Sequence, residues 1–168
     1  MKLLALALLA TTAAAGQPNQ QLFTLQSSGS SNSSQNNLYL TPRHTAAEGP
    51  LNSKPVFQSD STKADTFYVL NDTVRTDTPN GPYAIALEAV DGGKGPVRLG
   101  EYASTGSHGF KRTRDDKNDK VVASGNNWSN WIICDDAGIQ GLFYVQNGND
   151  APDGCNKIDL KVNPKESS

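Results

Sequence analysis

The sequence contains few of the residues on which catalytic and metal sites depend. Its 168 residues include two histidines, His44 and His108, two cysteines and one methionine. The patterns G-x-S-x-G and H-E-x-x-H, which mark a serine nucleophile on a sharp turn and a zinc site on a helix, do not occur. The sequence therefore predicts no catalytic residue, no metal site and no cofactor.

Long apolar runs and a surplus of basic charge are also missing. Lys and Arg number 15 against 17 Asp and Glu, so the formal net charge is −2. The densest charged stretch, residues 111–120, mixes both signs. Binding to nucleic acids and to anionic membranes depends on a concentrated basic surface, and a membrane span needs roughly 20 apolar residues. We therefore expect neither a nucleic acid nor a membrane as partner.

Residues 1–16 have the three parts of a secretory signal peptide. Residues 1–2 give a positive start, 3–10 form an apolar run of Leu and Ala, and 13–15 read A-x-A. This order predicts cleavage near residue 16 and a secreted, extracellular protein.

Two further patterns fit an extracellular route. Cys134 and Cys155 are the only cysteines, and an even pair in an oxidising compartment predicts a disulfide. The N-x-S/T sequons at Asn32, Asn71 and Asn127 are candidate glycosylation sites.

The remaining length fits one domain with a core of its own. Residues 17–37 form a Ser/Asn/Gln-rich segment that contains the first strand, and residues 164–168 form a polar tail. Between them, residues 22–163 are predicted to form a single all-β domain, which we expect to be a monomer.

Short apolar groups, separated by Gly, Asn, Asp, Ser and Pro, predict the all-β class. No segment has a helical apolar stripe of useful length. Twelve strands are predicted, at residues 22–26, 38–42, 55–58, 66–70, 73–76, 83–90, 96–100, 109–113, 120–124, 131–135, 142–146 and 157–162.

These strands form three sets of four with a spacing near 45 residues. The third strands of the sets carry Val56, Val97 and Phe143, which are 41 and 46 positions apart. Such a period predicts three structural repeats. Three four-stranded repeats in this length indicate a β-trefoil-like fold, a six-stranded barrel capped by three hairpins. The alternative is a Greek-key β-sandwich, which also uses short strands and Gly-rich turns.

The stretch 131–146 contains two adjacent acids, Asp135 and Asp136, and is predicted to be a core hairpin. Large apolar residues alternate along its two strands: Trp131, Ile133, Leu142 and Tyr144. Neighbouring residues on a strand point to opposite faces, which disfavours a paired-carboxylate glycosidase site. We interpret the two acids as turn residues that accept backbone N–H bonds.

A polar loop around Trp128 is the candidate ligand site. Asn126, Trp128 and Asn130, together with Asp135, offer one aromatic ring beside amide and carboxylate groups. The ring suits the apolar face of a sugar, and the polar groups suit its hydroxyls. The alternative is that Trp128 closes the barrel, and a glycan on Asn127 would obstruct a ligand.

The order of several strand motifs resembles a known family. The motifs are N-N-L-Y-L at 36–40, F-Y-V-L at 67–70, W-I-I-C-D at 131–135 and L-F at 142–143, followed by Cys155. They are similar to those of small secreted proteins of filamentous ascomycete fungi that carry a β-trefoil-like domain of unknown function. The resemblance implies a secreted fungal protein with a shared fold, and it supplies no catalytic residues.

Together these features favour a secreted, non-enzymatic binding protein. Its ligand would be an extracellular glycan or a protein of a host or competitor, held by loops on a rigid barrel. One alternative is a protease inhibitor of trefoil type, with residues 43–54 as its exposed loop. The other is a small secreted hydrolase whose acidic residues converge only in the folded chain.

Overall fold

The structure is a computed structural model that describes eight ranges of the chain. In those ranges it contains strands and two short 3₁₀ turns but no α-helix, and no helical segment there could cross a membrane. The predicted signal peptide and residues 44–51 of the candidate inhibitor loop lie outside the described residues. The described ranges are 20–43, 52–78, 81–88, 94–100, 106–114, 118–123, 128–146 and 149–165.

Each of the twelve predicted strands overlaps a strand of the structure, which confirms the all-β class. The largest differences are at the ends of strands, where backbone pairing continues beyond the apolar residues. The strands are β1 Phe23–Ser28, β2 Tyr39–Arg43, β3 Asn52–Gln58, β4 Phe67–Leu70, β5 Thr73–Thr78, β6 Gly81–Leu87, β7 Lys94–Gly100, β8 Phe110–Thr113, β9 Lys120–Ala123, β10 Trp128–Asp136, β11 Ile139–Gln146 and β12 Cys155–Pro164.

Six strands close into a barrel. The antiparallel pairs run β1–β2–β3–β11–β10–β12, and β12 pairs in turn with β1. Strand β4 joins β1 and continues through β5 and β6 to β7, while β8 and β9 extend from β12. All twelve strands belong to one sheet, which differs from the two separate layers of the Greek-key sandwich. The threefold repeat stays a prediction.

Alternate side chains point inward and form the main apolar core. In β12, Ile158, Leu160 and Val162 are buried and the residues between them are exposed. The Trp131 ring stacks 5.9 Å from the Phe110 ring, and its Nε1 donates to a main-chain carbonyl at 3.1 Å. The four predicted core residues of the β10–β11 hairpin are all buried: Trp131, Ile133, Leu142 and Tyr144.

The predicted disulfide is confirmed. Cys134 of β10 and Cys155 of β12 are direct partners across neighbouring strands, and their sulfurs are bonded. Cys134 belongs to a second, smaller apolar cluster with Ile132 and Val145, on the face of the hairpin turned away from the main core. Ala151 and Cys155 pack against that cluster, so the cross-link covers the outer side of the hairpin.

Two hairpins turn through residue pairs with left-handed backbone. Asn71 and Asp72 link β4 to β5 with φ of 49° and 56°, and Ala137 and Gly138 link β10 to β11 with φ of 54° and 82°. A two-residue turn with both φ values positive is the type I′ turn, whose twist matches that of the strands. Asn and Asp tolerate this region, whereas alanine is strained in it.

Removal of the disulfide should lower the free energy of unfolding by about 3 kcal/mol, because a cross-link over a separation of 21 residues restricts the unfolded chain. Urea denaturation of the Cys134→Ala/Cys155→Ala variant measures the loss. Reduced wild-type protein is the control, since it keeps both sulfur atoms in place. Equal stability of the oxidised and reduced proteins would contradict the prediction.

Ala137→Asn should raise the free energy of unfolding by about 1 kcal/mol, because asparagine enters the left-handed region more readily than alanine. Thermal and urea denaturation measure the change. Gly138→Ala is the matched control in the same turn and should act in the opposite direction. If both substitutions lowered stability equally, strain at Ala137 would not be the cause.

Candidate functional site

The structure separates two of the predicted ligand residues, Asn130 and Asp135. Asn126 lies outside the described residues, and the backbone of Trp128 begins β10. Asn130 is half-buried near that end of the strand, whereas Asp135 lies five residues farther along, about 17 Å away at the usual strand rise. Asp135 Oδ1 accepts a hydrogen bond from Gly138 N at 2.7 Å, which is the turn role that its position in the sequence indicates. Asn130 and Asp135 therefore do not line one sugar-sized site.

A polar cleft lies instead between residues 29–38, which connect β1 to β2, and the start of β12. Its volume is about 380 Å³. The loop 29–38 and the start of β12 both contribute walls, so the cleft exists only while these two segments are in contact. The lining side chains that matter chemically are Ser31, Asp150, Ala151, Cys155, Asn156 and Lys157.

A network of hydrogen bonds fixes one wall of the cleft. Gln35 is only 4% exposed, and its Oε1 accepts from Ser30 Oγ at 3.0 Å and from Asn156 Nδ2 at 2.8 Å. Ser31 Oγ donates to Asn156 Oδ1 at 2.8 Å. Because buried amides are held by their partners, Asn156 and Ser31 are positioned before any ligand arrives.

The loop itself folds through hydrogen bonds between its side chains and its backbone. Asn32 Oδ1 accepts from Ser34 N at 3.1 Å and begins a 3₁₀ turn at Ser33–Gln35. Asn36 bridges the loop, since its Oδ1 accepts from Ser30 N and its Nδ2 donates to Ser30 O, both at 2.9 Å. Short Ser and Asn side chains favour such local bonds, which explains why a segment with few apolar residues has a defined shape.

The rim and floor of the cleft differ in character. Lys157 Nζ lies 3.0 Å from Asp150 Oδ1 at the rim, and an ion pair this exposed adds little stability. Ala151 and Cys155 supply an apolar floor above the smaller cluster. Amide and hydroxyl groups beside a small apolar patch suit a neutral or weakly charged polar ligand.

A second polar arrangement joins the β4–β5 turn to residues 107–109. His108 Nδ1 lies 2.7 Å from Asp72 Oδ1, and Gly109 N donates to Asp72 Oδ2 at 3.1 Å. The hydrogen bond from His108 is the main cause that lowers the pKa of Asp72. Ser107 Oγ accepts from Leu87 N at 2.8 Å, so the adjacent serine and histidine bind separate structural partners.

Two carboxyl groups have environments unsuited to a catalytic acid. The fold lowers the pKa of Asp60, chiefly through hydrogen bonds from Thr62, as it lowers that of Asp72. A catalytic acid needs the reverse, a raised pKa that keeps its proton. In the described ranges no group of three His, Cys, Asp or Glu side chains is placed to hold a metal ion.

Sequence reasoning missed the residues that form the cleft. The sequence around Ser31 and Gln35 indicates only a polar loop, and that around Asn156 indicates only the end of a strand. Gln35 and Asn156 are 121 positions apart, and no local pattern connects residues so distant. The one signal in the sequence is the density of Ser and Asn between residues 27 and 37.

Comparison with known proteins establishes the family. Residues 20–164 match Domain of unknown function (DUF7907). The chain belongs to the DUF7907 family. This confirms the part of the resemblance that concerned a domain of unknown function, whereas a fungal origin of this DUF7907 domain stays a prediction. No curated protein sequence matches the domain.

A solved structure, CARDS toxin, full-length, resembles the DUF7907 domain in fold. The TM-score is 0.56 at 13% sequence identity, over 86% of this chain and 27% of the toxin chain. The DUF7907 domain therefore spans about a quarter of the toxin's length. At this identity the likeness shows a shared fold and nothing about function.

Alkaline pH should destabilise the DUF7907 domain through Tyr68. Burial, followed by the hydrogen bond from Tyr68 Oη to Asp77 Oδ1 at 2.8 Å, raises the pKa of Tyr68 from 10.0 to about 12. The folded state thus favours the neutral phenol. The resulting stability is fully present below about pH 10 and is lost as the pH rises through about 12.

Urea denaturation at a series of alkaline pH values measures this loss. Tyr68→Phe cannot ionise at that position, so its free energy of unfolding should fall less steeply over the same range. Burial also raises the pKa of Tyr144, so Tyr144→Phe is a useful second variant. Parallel pH profiles of wild type and Tyr68→Phe would contradict the assignment.

Proposed function

We propose that this DUF7907 domain is a secreted fungal carbohydrate-binding protein without enzymatic activity, and that the polar cleft is its ligand site. The observation that carries the proposal is the wall of the cleft, where Ser31 and Asn156 are held in place by the buried Gln35. The disulfide between Cys134 and Cys155 supports an oxidising compartment, where such bonds persist.

The chemistry of the cleft matches that of sugar hydroxyls. An amide offers both donors and acceptors, and a serine hydroxyl offers one donor and two acceptor positions. The apolar floor at Ala151 and Cys155 gives the C–H face of a sugar ring a surface to contact. A volume of about 380 Å³ lies at the lower end of the range of small-molecule sites, and a wall that is already ordered reduces the entropy lost on binding.

The strand pairing supports a β-trefoil, which we propose as the finer description of the fold. The third strands of the three predicted sets, β3, β7 and β11, all pair with one another: Ser53 with Leu99, Val56 with Gly141, and Phe143 with Pro96. Three hairpins that meet in this way would form the cap of a trefoil barrel. The similar spacing seen in the sequence would then reflect three related units.

A trefoil would also relate the cleft to the predicted site at Trp128. The loop 29–38 follows the first strand of the first set, and residues 124–127 follow the first strand of the third set. Both segments are rich in Ser, Gly and Asn. The two positions would therefore be equivalent in the repeat, and Trp128 stays a candidate for a second sugar contact.

Ser31→Ala tests the proposed site. Purified mature protein should bind at least one polysaccharide in a panel of chitin, β-glucan, mannan and plant-wall polymers. Loss of one neutral hydrogen bond should weaken binding about fivefold, the equivalent of about 1 kcal/mol. Isothermal titration calorimetry with the bound polysaccharide measures the change.

Ser33→Ala is the matched control, because Ser33 lies in the same loop but does not line the cleft. Its affinity should equal that of the wild type. Trp128→Ala separates the two candidate sites, since it should weaken binding only if the Trp128 site contacts sugar. No binding across the whole panel would overturn the proposal and favour a protein ligand.

A further inference from the structure

Charged side chains lie on the outer face of β12, where they take no part in the apolar core. Asp159 and Lys161 are exposed on this face, alternating with the buried Leu160 and Val162. Lys157, at the rim of the cleft, lies on the same face, four residues before Lys161. The cleft and this face of the barrel therefore form one continuous surface along the strand.

Pairing with the neighbouring strands aligns polar groups across this surface. Lys161 is the direct partner of Gln26 in β1 and of Lys120 in β9. Lys120 is in turn the partner of Thr113 in β8. Lys111 is two residues before Thr113, so it is the diagonal neighbour of Lys120 at about 7–8 Å between Cα atoms. We call Lys111, Lys120 and Lys161 the lysine patch.

Most of the charge in the lysine patch is not neutralised. Lys120 Nζ forms an ion pair with Asp159 Oδ1 at 3.1 Å. The side-chain ammonium groups of Lys111 and Lys161 have no hydrogen-bond or ion-pair partner among the described residues. Two lysines directly opposite on paired strands repel and destabilise the sheet. The arrangement therefore costs the barrel stability, which points to a role outside folding.

We infer that the carbohydrate ligand is an acidic polysaccharide that runs from the cleft across the lysine patch. This inference rests on the proposed function and specifies the class of ligand. Carboxylate groups of the sugar chain would pair with the free ammonium groups of Lys111 and Lys161. Gln26 and Thr113 lie in the same row of the sheet. Gln26 Nε2 donates to Asn37 O and its Oε1 accepts from Asn163 Nδ2, both at 3.3 Å. Thr113 Oγ1 donates to Lys120 O at 3.2 Å. The remaining donor and acceptor positions of the two side chains would therefore meet uncharged parts of the sugar chain.

A polysaccharide fits the lysine patch better than a nucleic acid does. Nucleic acid binding depends on many phosphate contacts along an extended basic surface, whereas three lysines here face one aspartate on a chain with net charge −2. A uronic-acid polymer carries fewer charges per unit length and many hydroxyls. The mixed row of lysine, amide and hydroxyl groups matches that composition.

Polygalacturonic acid and its methyl ester provide matched probes, because esterification removes the charge and keeps the sugar backbone. The wild-type protein should bind the acid more tightly than the ester, and its affinity for the acid should fall as salt increases. Lys161→Gln should weaken binding of the acid about fivefold at low salt, as expected for one lysine near an anionic surface. Lys111→Gln should act in the same way.

Lys63→Gln is the control, since it removes the same charge from an exposed position on the 3₁₀ turn Ser61–Lys63. It should leave binding of the acid unchanged. Lys63, Lys111 and Lys161 are exposed, so none of the three variants should lower the melting temperature. Lys161→Gln should raise it slightly, because it removes the repulsion from Lys120. Equal loss in all three variants would overturn the lysine patch as the binding surface.

The outcomes separate this inference from the proposed function. If the acid and the ester bind equally and Ser31→Ala weakens both, the cleft binds sugar and the inference about acidic ligands is wrong. If single-stranded nucleic acid binds as tightly as the acid and Lys161→Gln weakens it equally, the patch recognises charge alone and the polysaccharide assignment fails. If no polysaccharide binds, both proposals fail.

Discussion

The pairing of β12 with three other strands is the constraint on which the barrel depends. Its ten residues contact β1 along six positions, β10 along four and β9 along two. One face of the strand gives Ile158, Leu160 and Val162 to the core. A substitution that broke this ladder would open the barrel, expose the core and separate the walls of the cleft at the same time.

The cleft and the lysine patch follow from that same strand. Cys155 begins β12 and is linked to β10, so the start of the strand is fixed by pairing and by a covalent bond. Asn156 then reaches the buried Gln35, while alternate residues farther along carry charge to the surface. A ten-residue strand with period two thus supplies a core face and a charged outer face without further secondary structure.

Local patterns in the sequence predicted the strands but not the cleft. The alternation of apolar and polar residues correctly predicted that Trp131 and Ile133 point into the core, because successive side chains of a strand point to opposite faces. The disulfide was predicted from the two cysteines and from the predicted secretory signal. The contact of Gln35 with Asn156, and the pairing of Lys161 with Lys120, depend on which strands become neighbours. The order of neighbouring strands is set by closure of the barrel. The apolar periodicity of a single strand does not show which strands will be its neighbours.

The pairing of β1 with β12, from Phe23 opposite Pro164 to Ser28 opposite Asp159, has a consequence for the order of folding. Contacts so distant in sequence form slowly, because a long loop must close before they stabilise anything. The barrel can close only after nearly the whole domain has left the ribosome. Until then the edge of β1 that binds β12 has unpaired N–H and C=O groups, and it can pair with the strands of another chain.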